Sequence, residues 1–470
     1  MLITFATELK IVYMKYLSLL ISLSVSILCV GQVDIIGQIQ PLLQPNTINQ
    51  AEEKINEFLK HDSLNVDALM LKGNVIFSKY GFNAPSIMII GSIDESIFET
   101  AIGSLGENKI VPDEATANDI TKYYLKAVSI DKTREDIQFG ICYIYSISLM
   151  TDKLINYLPI LKEHVKEQKN LPFTMSDYAI NLIMRNRFED GMKVYLKIAD
   201  LFPDNGSIMS DIAGQYKLHG DLDKAKYYIE KALKRKDNDD MTYANSFAIN
   251  NDMENYPDAL KALKTKSEMN KNKDYLLYQA LLQFRDGKDF KTTLNEFLKS
   301  GSKDDDNIQL ATKMLASSYT VDALDTLGKI GMLDAYKMLL YQYFVARFPN
   351  EFNPSFNYGD LLNYHQLYSR AIKVFKAMPK DKLDKEHLEG VNFDYAYALY
   401  MNRNFDEANK LWETMLSSSN FYYKSASAYF LGKYYLNKNQ KEKAIGYFKM
   451  VSDKPSESKY ANFCNYLVKK

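Results

Sequence analysis

The chain has 470 residues, 46% hydrophobic and 25% charged, which excludes a disordered chain and also a single ordinary compact core. Lysine plus arginine (58) nearly cancels aspartate plus glutamate (59), and no basic block follows a phosphate backbone, so nucleic acid is not an expected partner. Only 12 prolines and 20 glycines interrupt the sequence, which predicts long helices joined by short turns and an all-α fold whose 35 tyrosines either fill the core or line a contact surface.

In chain order, the first feature is MKYLSLLISLSVSILCVGQ from Met14: a basic residue, an apolar run from Leu17 to Val30, and small residues at its end. This reads as a signal peptide over residues 1–31, cleaved after Gly31, with Met14 as a second candidate start; the run is short for a bilayer span and a polar stretch follows it at once, so no transmembrane helix is expected in the mature chain. Cys29 is an alternative site for a lipid anchor, although Leu28 stands where a lipobox has a small residue. The two remaining cysteines, Cys142 and Cys464, lie far apart within helical patterns and predict buried thiols without a disulfide.

Beyond the leader, a small residue recurs twelve positions after another small residue: Ala179 and Gly191, Ala213 and Ala225, Gly359 and Ala371, Ala396 and Ala408, Gly432 and Ala444, with weaker versions at Phe247 and Ala259 and at Ala280 and Thr292. Two antiparallel helices per unit require this pattern, because a small side chain on each lets the backbones approach where they cross. Larger residues flank these positions at helical spacing, as Ala428, Leu431 and Tyr435 precede Ala444, Phe448 and Val451.

One unit reads Ala428-x2-Leu431-Gly432-x2-Tyr435, then Ala444-x3-Phe448, closed by Pro455; another reads Met175-x2-Tyr178-Ala179-x2-Leu182, then Gly191-x3-Tyr195, closed by Pro203. These segments resemble tetratricopeptide repeats, although no unit has the leading tryptophan and the lone Trp412 stands at the aromatic position of a second helix. The resemblance implies a right-handed α-solenoid of antiparallel helix pairs, about nine units long, whose last helix, 459–470, is a polar cap.

Two breaks interrupt the register. Leu69-x2-Lys72-Gly73-x2-Ile76 begins a first helix whose partner arrives only near Ile120 to Ala127, so residues 81–117 read as an insertion between paired helices. From Asp304 to Gly331 the spacing fails again, which predicts an N-terminal array over 32–303 and a C-terminal array over 304–470; the run Asp304, Asp305 and Asp306 reads as a helix cap, its spacing unlike an EF-hand loop.

Chemistry is hard to find. His61, His164, His219, His365 and His387 are scattered without metal-ligand spacing, no phosphate loop or nucleophile motif occurs, and neither metal nor cofactor nor enzymatic activity is expected. The resemblance instead implies that first helices line a concave face, which nominates Phe356, Asp360, Asn363 and Tyr364, then Phe393, Tyr397 and Tyr400, then Tyr429, Lys433 and Asn437 as partner-binding residues, with Phe173, Ser176, Ile180 and Ile183 as their N-terminal counterparts. The expectation is an exported bacterial scaffold, periplasmic or at the outer surface, that binds a protein or peptide in cell-envelope assembly or secretion. Glycan or peptidoglycan-fragment binding through the aromatic groove is the alternative, and an enzyme using Asp94, Glu95, Glu99 and Glu107 of the insertion is a third.

Overall fold

The computed structural model describes residues 35–81 and 112–469, apart from 186, 236, 237, 318 and 329. Residues 1–31, read above as a signal peptide, together with Cys29 and the carboxylates of the insertion, lie outside the described residues. Those described contain helices and turns and no strand, and they cluster into two units, Met1–Asp204 and Asn205–Lys470.

The first unit carries α1 (Ile35–Ile39), α2 (Ile48–His61), α3 (Val66–Gly81), α4 (Glu114–Ile130), α5 (Glu135–Ile147), α6 (Thr151–His164), α7 (Leu171–Met184) and α8 (Phe188–Leu201). The second carries α9 (Gly206–Leu218), α10 (Leu222–Leu233), α11 (Asp240–Asp252), α12 (Tyr256–Met269), α13 (Tyr275–Arg285), α14 (Lys291–Lys299), α15 (Asp305–Ala316), α16 (Val321–Gly328) and α17 (Asp334–Arg347). It continues through α18 (Phe352–Tyr364), α19 (Tyr368–Ala377), α20 (Lys385–Met401), α21 (Phe405–Met415), α22 (Phe421–Asn437), α23 (Lys441–Lys449) and α24 (Lys459–Lys469). The result is an all-α solenoid of antiparallel helix pairs within each unit.

Close approach explains the small residues. A Cβ added at Gly432 would lie 2.1 Å from the ring of Phe448, one at Gly359 would lie 2.4 Å from Phe375, and one at Gly73 would lie 2.4 Å from Tyr124. Each paired aromatic therefore occupies the volume that a side chain would take, and packing at this density leaves no room for both. The last of these contacts pairs α3 with α4 across the intervening segment, and the Tyr124 hydroxyl donates to Asn74. Ala179, Ala213, Ala225, Ala371, Ala396, Ala408 and Ala444 have no exposed surface. The weaker pair is corrected: Thr292 is exposed and Thr293 is the buried residue, because the turn before α14 is longer than its counterparts.

Within pairs the turns are nearly uniform. Three residues connect α9 to α10, α11 to α12, α18 to α19, α20 to α21 and α22 to α23. The middle residue of each is left-handed: Gly220 (φ 78), Glu254 (φ 58), Gln366 (φ 58), Arg403 (φ 65) and Asn439 (φ 58). The next amide then reaches back five residues, as Asn404 N donates to Leu399 O at 2.8 Å and Gln440 N to Tyr435 O at 2.9 Å, which closes the helix end in a Schellman arrangement. Opposite ends are capped by short polar side chains: Asp304 accepts from Asn307 N at 2.9 Å and Asp384 from His387 N at 2.9 Å. The aspartate run at 304–306 is thus a helix start.

The stretch from α13 to α17 departs from nearest-neighbour pairing. Tyr278, fully buried, donates to Asn251 of α11 at 2.8 Å and packs against Tyr336 of α17 with centroids 6.0 Å apart. Helix α13 pairs with α14 and also meets α17 directly, and α14 to α16 pack into the same core. Polar contacts also tie α19 and the turn before it to the ends of α9 and α11. Arg370 donates to Asp252 O at 2.9 Å and to the Tyr358 hydroxyl at 2.7 Å, and pairs with Glu254 at 2.8 Å. Gln366 donates to Leu218 O at 2.7 Å, a contact spanning 148 residues of sequence. Cys142 and Cys464 are buried free thiols, and burial pushes both pKa values up, that of Cys464 to about 12.

Candidate functional site

The three C-terminal pairs present their first helices, α18, α20 and α22, in one shared register set by Gly359, Ala396 and Gly432. Three residues before each small residue stand Phe356, Phe393 and Tyr429, and all three are committed to packing. Phe356 stacks on Phe352 at 5.0 Å; Phe393 touches Trp412 at 5.7 Å and Tyr423 at 5.4 Å; Tyr429 lies against Tyr460 and Phe463 of α24, at 5.6 and 5.5 Å. Phe393 and Tyr429 thus reach the next first helix, which leaves Tyr429 buried and Phe356 and Phe393 half-buried.

One residue after each small residue the environment changes. Asp360 is exposed, while Tyr397 and Lys433 are half-buried. Tyr397 sits between Tyr368 (6.1 Å) and Phe430 (5.9 Å), and the Lys433 ammonium lies 5.4 Å from the Tyr429 ring centroid. Tyr364, 64% exposed, leans edge-on against His365, whereas Tyr400 is buried against Phe405 and Phe430 at 5.2 and 5.1 Å. Asn363 is buried and Asn437 exposed. In the first unit, Phe173 is exposed, Ser176 is buried with its hydroxyl on Pro172 O at 2.9 Å, and Ile180 and Ile183 are half-buried.

An unanticipated residue, Asp394, carries the strongest electrostatic signal here. Burial pushes its pKa up to about 8, and the carboxylate of Asp360 adds to the effect. Burial also raises Asp360, although its exposed surface means that solvent screens this carboxyl more than Asp394. Among the described residues no side chain donates a hydrogen bond or an ion pair to either carboxylate. Asn363, one turn beyond Asp360, donates its Nδ2 to the backbone carbonyl of Asp394 at 2.9 Å, and its Oδ1 is buried without a partner. Tyr423, on α22, completes the cluster. Its hydroxyl is pushed up by burial first and then by Asp394, Glu386 and Glu389.

Asp394 lies two residues before its small residue, and Asp177 occupies the same position before Ala179, its pKa pushed up to about 6 by burial. The signal that could have found both is an aspartate inside an otherwise apolar helical run, FDYAYALY around Asp394. No cluster of metal-ligating side chains occurs among the described residues, and no described helix is long and apolar enough to cross a membrane.

No family profile matches the chain, and no characterised protein matches it in sequence. Solved structures resemble it in fold. A tetratricopeptide repeat protein from Parabacteroides merdae is 14% identical over 50% of this chain and 92% of its own, with a TM-score of 0.21. Pseudomonas aeruginosa pilF is 11% identical over 50% of this chain and 90% of its own (TM-score 0.24), and the human IFIT1 dimer with PPP-AAAA is 14% identical over 89% and 98% (TM-score 0.27). At these superposition scores no functional inference passes from them to this chain, whose helix-pair architecture rests on its own contacts.

Proposed function

We propose that this chain is an exported helical-repeat scaffold that holds a protein or peptide in a groove along the first helices of its C-terminal pairs, in cell-envelope assembly or secretion. The observation that carries the reading is the row Asp360, Tyr397 and Lys433, with Tyr364 beside it: equivalent positions in successive pairs that the core leaves accessible while their neighbours are absorbed. Aromatic rings and isolated charges in such a row give contact area at low entropic cost. The proposed address rests on Lys15 and the apolar run Leu17 to Val30, and N-terminal sequencing of the chain from a fractionated envelope tests it: a mature terminus at Gln32 is the expected result. No observation favours glycan binding over peptide binding, because most of the groove aromatics stack on one another.

The test of the groove is a pull-down with the purified chain beside a Tyr364→Ala, Tyr397→Ala, Asp360→Ala variant whose helicity and melting match the parent. A protein retained by the parent, lost from the variant and rebound on reconstitution from purified components is expected. Equal recovery by both would place the partner elsewhere.

A further inference from the structure

Charge collects at the end of the second unit. Residues 421–469 hold nine lysines against three acidic residues, a net charge of +6 in a chain whose total is −1. The change along the array is abrupt. Helix α21 carries Asp406, Glu407 and Glu413 against Lys410, whereas α23, the second helix of the next pair, carries Lys441, Lys443 and Lys449 against Glu442. Like charges this close repel one another in the folded chain, and an anionic partner relieves that repulsion.

Aromatic rings position the ammonium groups. Lys443 Nζ lies 3.8 Å from the centroid of Tyr435, which stacks on Tyr447 at 5.6 Å, and the Lys454 and Lys459 ammoniums lie 5.4 and 5.2 Å from Phe421 and Tyr460. A ring face orients an ammonium and leaves its charge whole, where a carboxylate would cancel it. Lys454 also pairs with Glu457 at 3.0 Å, both half in water. Between the lysines the outer surface is apolar. Helix α23 turns Ala444 and Phe448 into the core, which sets Ile445 and Met450 on its other side, 38% and 51% exposed, beside Lys443 and Lys449. Gly446 shares that side, and a Cβ there would have no atom within 4 Å, so the face is open.

We propose that the outer face of α23, with the start of α24, docks the chain on an anionic lipid surface. Two features of that face meet two features of the partner. The lysines meet lipid phosphates, and the Ile445 and Met450 side chains leave water for the boundary between headgroups and acyl chains. An acidic protein segment would answer the charge alone, and exposed apolar side chains interleaved with lysines would add nothing to its recognition. The contact belongs to second helices and the terminal helix, so it is separate from the groove along α18, α20 and α22 and stands without it.

The experiment is co-sedimentation of the purified chain with vesicles of phosphatidylcholine and with vesicles of phosphatidylcholine and phosphatidylglycerol in equal parts. Binding to the mixed vesicles alone is expected. Lys441→Gln, Lys443→Gln and Lys449→Gln together should weaken it about 100-fold, at about fivefold per lysine, and Ile445→Ser with Met450→Ser about tenfold. Lys373→Gln, Lys376→Gln and Lys382→Gln remove as many exposed lysines from α19 and the turn after it and should change binding little. All these side chains are exposed, and each variant should melt with the parent. No binding to the mixed vesicles, equal binding to both kinds, or an equal loss from the α19 variant overturns the proposal. So does binding that keeps its strength without Ile445 and Met450 and is displaced by poly-glutamate, which would make an acidic protein segment the partner.

Discussion

The C-terminal pairs α18 to α23 and the central stretch α13 to α17 both pack around tyrosine and phenylalanine rings, yet they hold together differently. In the former, one glycine or alanine per helix admits an aromatic from its partner, turns are three residues long, and each pair packs on the next. The latter has an irregular register, with α13 meeting α17 as well as its sequence neighbour α14. Its rings gather into one cluster, Phe284 lying 4.0 Å from Tyr343 and 4.9 Å from Tyr319. Local contacts repeated at a fixed spacing define the first region. Contacts distant in sequence define the second.

The sharpest way to break the comparison is a side chain at a close-approach site. Gly432→Val should cost about 3 kcal/mol, since its Cβ would lie 2.1 Å from Phe448, and Phe448→Leu in the same chain should recover part of the loss in urea titrations. For contacts distant in sequence the matching test is Arg370→Ala on α19, which removes donors to Asp252 O and the Tyr358 hydroxyl. A loss of about 2 kcal/mol is expected, most of it from the unmet acceptors, since Glu254 is half in water.

Smaller in magnitude but opposite in sign is Asp394→Asn. The folded carboxyl keeps its proton to about pH 8, whereas the unfolded one releases it near ~4. The folded state therefore binds more protons between these values, and this group's contribution to stability falls as pH rises through that window. The asparagine variant should match the parent at pH 4 and exceed it by about 1 kcal/mol at pH 8, well below the ~5 kcal/mol of unscreened linkage because the Asp394 side chain keeps contact with solvent, read from denaturant midpoints at both pH values. Least of all, Arg403→Gly should stabilise by about 0.5–1 kcal/mol, because it relieves an exposed residue held at φ 65; an unchanged midpoint would show that the turn sets no cost.

Legibility in the sequence followed the same division. The twelve-residue spacing was readable because it records a steric requirement at each crossing, and Trp412 at an aromatic position proved wholly buried. The turn residues were not readable apart from Gly220. Glutamate, glutamine, arginine and asparagine occupy the equivalent left-handed position elsewhere, so composition conceals a geometry that the flanking helices impose. Asp360, Tyr364, Tyr397 and Lys433 retain surface, but Tyr400 and Tyr429 are drawn inward because the following helices, α22 and α24, bring Phe430 and Tyr460 against them. That inward pull depends on which face meets the next unit, a choice that spacing within one unit does not record. Asp394 escaped notice for the complementary reason: one charge in an apolar run looks like a solvated residue until its neighbours are placed.

An array whose pairs touch only their neighbours can fray from an end, each pair melting nearly independently of those far away. Arg370 and Gln366 forbid that behaviour in the second unit, because they tie α18 and α19 to carbonyls and carboxylates at the ends of α9 and α11. Removing the last pairs would strip partners from the first. Amide hydrogen exchange in α9 and α19 should therefore converge on a single opening free energy, which makes the second unit one cooperative element.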